Sequence, residues 1–138
     1  MSHPVLLDTC AAIWLMDQAP MSAASLEAIR SAQLAHAGVY VSPITAWELV
    51  TLIRKGRMRL NRPPEVWFDT LLSLPGVRLA EMSPSILIAS GLLPGDAPKD
   101  PADRIIAATG RAFGYTIVTR DGELVPYAAA GHVAVIAC

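Results

Sequence analysis

Five carboxylates stand where the chain makes a carboxylate either costly or useful. Asp8 closes the apolar run Val5-Leu6-Leu7, and Asp121 follows the run Thr116-Ile117-Val118-Thr119. Taken alone, each reads equally as a helix N-cap or a turn residue. Glu48 has Ile44 and Leu52 four residues to either side, so it shares a helix face with apolar neighbours. Buried and alone, it needs a cation or metal to compensate it; exposed or paired with an arginine, it does not. Asp100-Pro101-Ala102-Asp103 has the form of a helix start. Asp100 would cap it, Pro101 would take the first position, and Asp103 would sit where the helix dipole keeps a carboxylate ionised. Carboxylates with no His or Cys at ligand spacing describe a hard, all-oxygen site that selects Mg²⁺ or Mn²⁺ over zinc. The usual chemistry of such a site is phosphoryl transfer, with metal polarising the phosphate and activating water.

These acids can meet only if the elements carrying them bring them together. Short, almost wholly apolar runs at Val5–Leu7, Val39–Val41, Val77–Met82, Thr116–Thr119 and Val133–Ile136 read as buried strands. Between them, helices are expected over Thr9–Met16, Ser22–His36, Glu65–Leu74 and Asp100–Phe113, the last stopped by Gly114. Ser42-Pro43 and Ser83-Pro84 each read as an N-cap followed by a first-position proline, and the Ser42 helix should run to Lys55 and stop at Gly56. Strands alternating with helices imply parallel strands joined by right-handed crossovers. The expected fold is α/β, a three-layer α/β/α sandwich around a parallel sheet, in a single domain over residues 1–138. In such sheets ligands bind at the carboxyl ends of the strands, near the point where the strand order reverses. If the first and fourth strands flank that point, Asp8 and Asp121 enter one crevice.

Composition narrows the class. The chain is 53% hydrophobic and 17% charged, which excludes intrinsic disorder and leaves apolar surface to spare for a partner. A net charge of −1 excludes a uniformly basic nucleic-acid coat but not a local basic patch. Cys10 and Cys138, without a CxxC motif or adjacent His, read as reduced thiols. With no basic leader before the first apolar run and no bilayer-length apolar stretch, the expected setting is cytoplasmic and away from membranes.

The blocks Leu6-Leu7-Asp8-Thr9, Ser42-Pro43-Ile44-Thr45-Ala46-Trp47-Glu48, Asp100 through Thr109, and Thr116 through Asp121 together resemble the PIN-domain ribonucleases. The resemblance is specifically to the VapC-type toxins of bacterial toxin–antitoxin pairs. It implies a sheet of strand order 3-2-1-4-5 and Mg²⁺-dependent RNA cleavage, with Mn²⁺ as substitute. It also implies homodimerisation and inhibition by a cognate VapB-type antitoxin. Asp8, Glu48, Asp103 and Asp121 match the family's acidic quartet, holding metal directly or through water. Asp100 matches an extra Asp found only in some members, and Thr9 and Thr119 match the hydroxyl positions beside the first and last acids. Those threonines read equally as ordinary turn hydroxyls.

Arg54, Lys55, Arg57, Arg59 and Arg62 crowd the end of the Glu48 helix and the loop after it. Arg54 and Lys55 suit the negative end of a helix, but five bases exceed what capping needs, and a phosphate-binding rim for RNA is preferred. Arg104 and Arg120, beside acids of the quartet, are alternative contacts for substrate or antitoxin. Trp14, Trp47 and Trp67 are expected to pack rather than stack on bases. Apolar surplus on the Ser22–His36 and Glu48 helices reads as a generous core or as a groove for an amphipathic antitoxin segment. Two other classes stay open: a carboxylate-metal phosphatase or DNA nuclease, and a catalytically silent binding module within a repressor complex.

Overall fold

Period-two alternation decides which side of the sheet each strand residue faces. In a computed structural model, which describes residues 3–120 and 122–138, Val5 and Leu7 join one buried cluster and Leu6 joins another. Val39 and Val41 likewise face the first cluster, while Tyr40 between them faces the second and stacks on Tyr115 at 4.3 Å. The elements run β1 (Val5–Leu7), α1 (Thr9–Met16), α2 (Ala23–Leu34), β2 (Val39–Val41), α3 (Ile44–Arg54), α4 (Pro64–Ser73) and β3 (Val77–Leu79). They continue with α5 (Pro84–Gly91), α6 (Pro101–Phe113), β4 (Thr116–Thr119), α7 (Leu124–Ala129) and β5 (Ala134–Ala137).

The five strands are all parallel, in the order β3-β2-β1-β4-β5. Residues of α1, α2, α3 and α4 fill the cluster on one face; α6 and α7 fill the other, with α5 packed outside α6. The three-layer α/β expectation and the 3-2-1-4-5 order both hold. Leu7 pairs with Val118 across β1 and β4, so Asp8 leaves the sheet beside the end of β4. Chain order runs outward from β1 through β2 on one side and from β4 on the other, which makes this pair the reversal point.

Where boundaries differ from expectation, a local cause is visible. The second helix stops at Leu34 instead of His36 because His36 takes φ 55°, which no right-handed helix continues. The third strand ends at Leu79 instead of Met82: its neighbour β2 ends at Val41, whose carbonyl takes one last bond from the Ala80 N–H at 2.8 Å. Pro43 occupies the cap position of α3, one residue ahead of the first helical position, and Ser42 Oγ accepts from the Ile44 N–H at 3.2 Å. β5 is displaced by one residue, and α7, six residues long with Pro126 inside it, has no sequence counterpart among the expectations. Among the described residues no helix is long and apolar enough to cross a membrane.

The helix that carries Asp100 and Asp103 is seated by a glycine. At Gly110 a Cβ would lie 3.0 Å from Ile117 Cδ1 and 3.1 Å from its Cγ1, so the missing side chain lets α6 lie close on β4. Gly110→Val should therefore destabilise the fold by about 1–3 kcal/mol through overpacking, more than its small gain in helix propensity. Urea unfolding monitored by circular dichroism checks the loss.

Candidate active site

Asp8 is a cap before it is anything else. It is 4% exposed, and its Oδ1 accepts the Ala11 N–H at 2.7 Å, closing the first turn of α1. Its second oxygen accepts the hydroxyl of Thr119, the last residue of β4, so the side chain has both oxygens held. Thr9, the first residue of α1, donates its hydroxyl to Glu48 Oε1 on α3. Glu48 is half-buried, as a carboxylate between apolar neighbours with a hydroxyl partner should be. Asp100 caps α6, accepting the Asp103 N–H at 3.1 Å, and Asp103 sits in the first turn, where the helix dipole favours negative charge.

These side chains line one open cleft of about 610 Å³: Asp8, Thr9, Cys10, Glu48, Asp100, Asp103, Arg120, Gly122 and Glu123. Cys10 reports on the field within it. Its pKa is raised to about 11, first by desolvation and then by the charges of Asp8, Glu48, Cys138 and Asp103. Burial raises the Cys138 thiol as well, with Asp8 the next cause and Arg120 acting against it. Both cysteines are free thiols, as expected.

The donor set fits a hard divalent cation. Its oxygen donors come from carboxylates on separate elements, and carboxylates outnumber the one sulfur in the lining. Among the described residues no three His, Cys, Asp or Glu side chains form a closed ligand group. An open arrangement of this kind suits an ion such as Mg²⁺, which keeps several waters and takes one or two direct carboxylates.

Of the residues nominated from sequence, Asp8, Thr9, Glu48, Asp100 and Asp103 meet in the cleft, and Thr119 meets it through Asp8. Asp121 lies outside the described residues. Arg54, Lys55, Arg57, Arg59 and Arg62 are exposed and none lines the cleft; Arg62 donates to Thr70 Oγ1 at 3.1 Å. The cation that does line it is Arg120, whose guanidinium lies 3.7 Å over the Trp14 ring and donates to the Cys138 carbonyl at 3.1 Å. Arg104 is a brace rather than a free contact: it donates to the Ser90 carbonyl at 2.8 Å and to the Pro98 carbonyl at 2.9 Å. Trp67 packs in the core, but Trp47 is 60% exposed, which corrects the expectation that it packs: it faces outward on α3. Glu123 and Cys10 were not nominated. Glu123 follows the fourth strand in a segment too short to show periodicity, and Cys10 had no ligand partner in sequence to mark it.

Comparison with known proteins places these features in a family context. The model of the PIN domain family matches residues 5–129. Ribonuclease VapC22 of Mycobacterium tuberculosis is 35% identical over 121 residues, covering 87% of this chain and 88% of that protein. Among solved structures, VapBC2 from Rickettsia felis, bound to a DNA fragment from their promoter, is similar with a TM-score of 0.63 and 16% identity, over 97% of this chain and 98% of that chain. FitAcB from Neisseria gonorrhoeae is similar with a TM-score of 0.54 and 23% identity, over 96% of each chain. Likenesses at that level of identity speak to the fold.

If the acids converge in charge as well as position, removing one charge should relieve repulsion. Asp8→Asn keeps the Oδ1 acceptor for the Ala11 N–H, and the Thr119 hydroxyl can turn from donor to acceptor. In EDTA its melting temperature should equal or exceed that of the native protein. Asp8→Ala, which also loses the cap, should fall below it by about 1 kcal/mol of stability. Thermal denaturation of the three proteins in one buffer checks the order.

Proposed function

This chain belongs to the PIN domain family, and from that premise we propose that it is a metal-dependent endoribonuclease, the toxin of a toxin–antitoxin pair. One observation carries the reading. Asp8, Glu48 and Asp103, contributed by separate elements, line a single cleft where the parallel strands β1 and β4 end side by side. The 35% identity to a ribonuclease over most of the chain supports the substrate class, and the likeness of fold to VapBC2 supports an antitoxin as partner.

Asp8, Glu48 and Asp103 would hold Mg²⁺ or Mn²⁺ directly or through water, with Asp121 as a fourth ligand and Asp100 as a contributor from the cap of α6. When bound, the ion supplies positive charge that polarises the scissile phosphate and acidifies a water. The chain's own groups prepare that step. Thr119 and the Ala11 N–H fix the plane of the Asp8 carboxylate, and Thr9 fixes that of Glu48. The Cys10 thiol, raised to about 11 by burial and then by the nearby carboxylates, takes no part in this step. Water is then the attacking group, and the products carry 5′-phosphate and 3′-hydroxyl ends. Arg120, parked on Trp14 at the cleft, offers a guanidinium to a phosphate neighbouring the scissile one. The exposed bases between Arg54 and Arg62 form the outer rim for RNA. Exposed apolar side chains such as Ile88 and Leu92 on one face and Trp47 on another give a second copy and the antitoxin surface to cover.

Purified protein should cut single-stranded RNA with added Mg²⁺ or Mn²⁺ and lose all cleavage in EDTA. It should leave single-stranded DNA of the same sequence intact. Asp8→Asn, Glu48→Gln and Asp103→Asn should each lower kcat by about a hundredfold or more. Sequencing of the ends decides the mechanism: 2′,3′-cyclic phosphates would overturn attack by water, and cleavage of DNA or of phosphomonoesters alone would favour the other carboxylate-metal enzymes. Growth arrest that persists on expressing Asp8→Asn would favour a silent binding module.

The rim has its own test. Arg57→Glu with Arg59→Glu should weaken RNA binding and flatten the plot of log affinity against log salt by about 0.7 for each lost phosphate contact. Filter binding across a salt series measures both, and an unchanged slope would remove these bases from the RNA path.

A further inference from the structure

Thr45 sits on the first turn of α3, one turn ahead of Glu48 on the same helix face, and is completely buried. Its Oγ1 lies 3.2 Å from Thr9 Oγ1, in the buried contact between α1 and α3. A hydroxyl at such a place costs stability unless it is bonded, and valine would fill the same space without that cost. The direction of the contact follows from counting hydrogens. Thr9 has one hydroxyl proton, and it goes to the Glu48 carboxylate, which when ionised can only accept. Thr9 is therefore the acceptor towards Thr45, and the order is Thr45 to Thr9 to Glu48. Each donation polarises the next hydroxyl and strengthens its bond.

We propose that Thr45 is a positioning residue for the cation site: through Thr9 it holds Glu48 in the orientation that faces the cleft, without itself reaching the cleft. This rests on the reading of the cleft as a metal-dependent ribonuclease site and adds a residue to it. Thr45 lines no part of the cleft, and Val in its place changes no charge.

The test reads metal binding without RNA, by Mn²⁺ electron paramagnetic resonance on the full chain. Thr45→Val should bind Mn²⁺ about fivefold more weakly than the native protein, the worth of one neutral buried hydrogen bond. Thr45→Ser, which keeps the hydroxyl and gives up the methyl, should restore the affinity. Thr45→Ala should not, which keeps the comparison decisive if the valine variant folds poorly. In a Thr9→Val background, Thr45→Val should have no further effect, because its route to Glu48 is already cut. Equal Mn²⁺ affinity in Thr45→Val and native protein, or a loss that is the same size in the Thr9→Val background, would overturn the proposal. The ribonuclease reading fails separately. A native protein that cuts no RNA, yet shows the same ranking of Mn²⁺ affinities, would uphold the hydroxyl chain and overturn that reading.

Discussion

Gathering Asp8, Glu48 and Asp103 about one partly desolvated cleft sets like charges side by side, and the polar groups around them answer that constraint. Each carboxylate is met by a neutral donor or a helix start instead of being left to water. Asp8 takes an N–H and a hydroxyl, Glu48 takes a hydroxyl, and Asp103 occupies the positive end of α6. Burial and, after it, this negative field raise the Cys10 and Cys138 thiols. A cation is the one addition that would turn this repulsion into cohesion.

The parallel sheet is what makes such a gathering possible. Parallel strands end on one edge, and the helices that follow them begin there, with their free N–H groups turned towards the same space. Asp8 caps the helix that follows β1 and Asp100 caps α6, which leads into β4, and each lines the cleft with the same side chain. Gly110 sets how near α6 can lie to β4, since a Cβ there would press on Ile117. The near-neutral net charge of −1 conceals this partition, with acids collected at the sheet edge and the bases of residues 54–62 exposed outside the cleft lining.

Elements with strong local signals were legible in the sequence to within a residue. β1, α1, β2 and β4 have the expected bounds and α6 starts one residue inside its Asp100 cap, because apolar runs, Asp caps, a first-position proline and a left-handed glycine mark most of these ends. The misjudged ends depend on a neighbour: β3 stops where β2 stops, and no feature within Val77–Met82 records that. The same division holds at the cleft. Asp8 at a strand end and Asp100 and Asp103 at a helix start were legible, whereas Glu123, Cys10 and the seat of Arg120 on Trp14 were not, since nothing local distinguishes them.

By itself, then, the sequence determined the alternation of strands and helices, the apolar core and the kinds of group available for chemistry, because these follow from periodicity, capping and side-chain type over a few residues. Tertiary structure alone decided which groups share a space. It kept the basic run out of the cleft lining and put Arg120 in it, tied Arg104 to the Ser90 and Pro98 carbonyls, and left Trp47 outside the core. It also brought Thr9 to Glu48 and Thr119 to Asp8 across 39 and 111 residues of chain. Contacts at that separation depend on how strands pair and how closely helices seat, and neither quantity is written in any local stretch of residues.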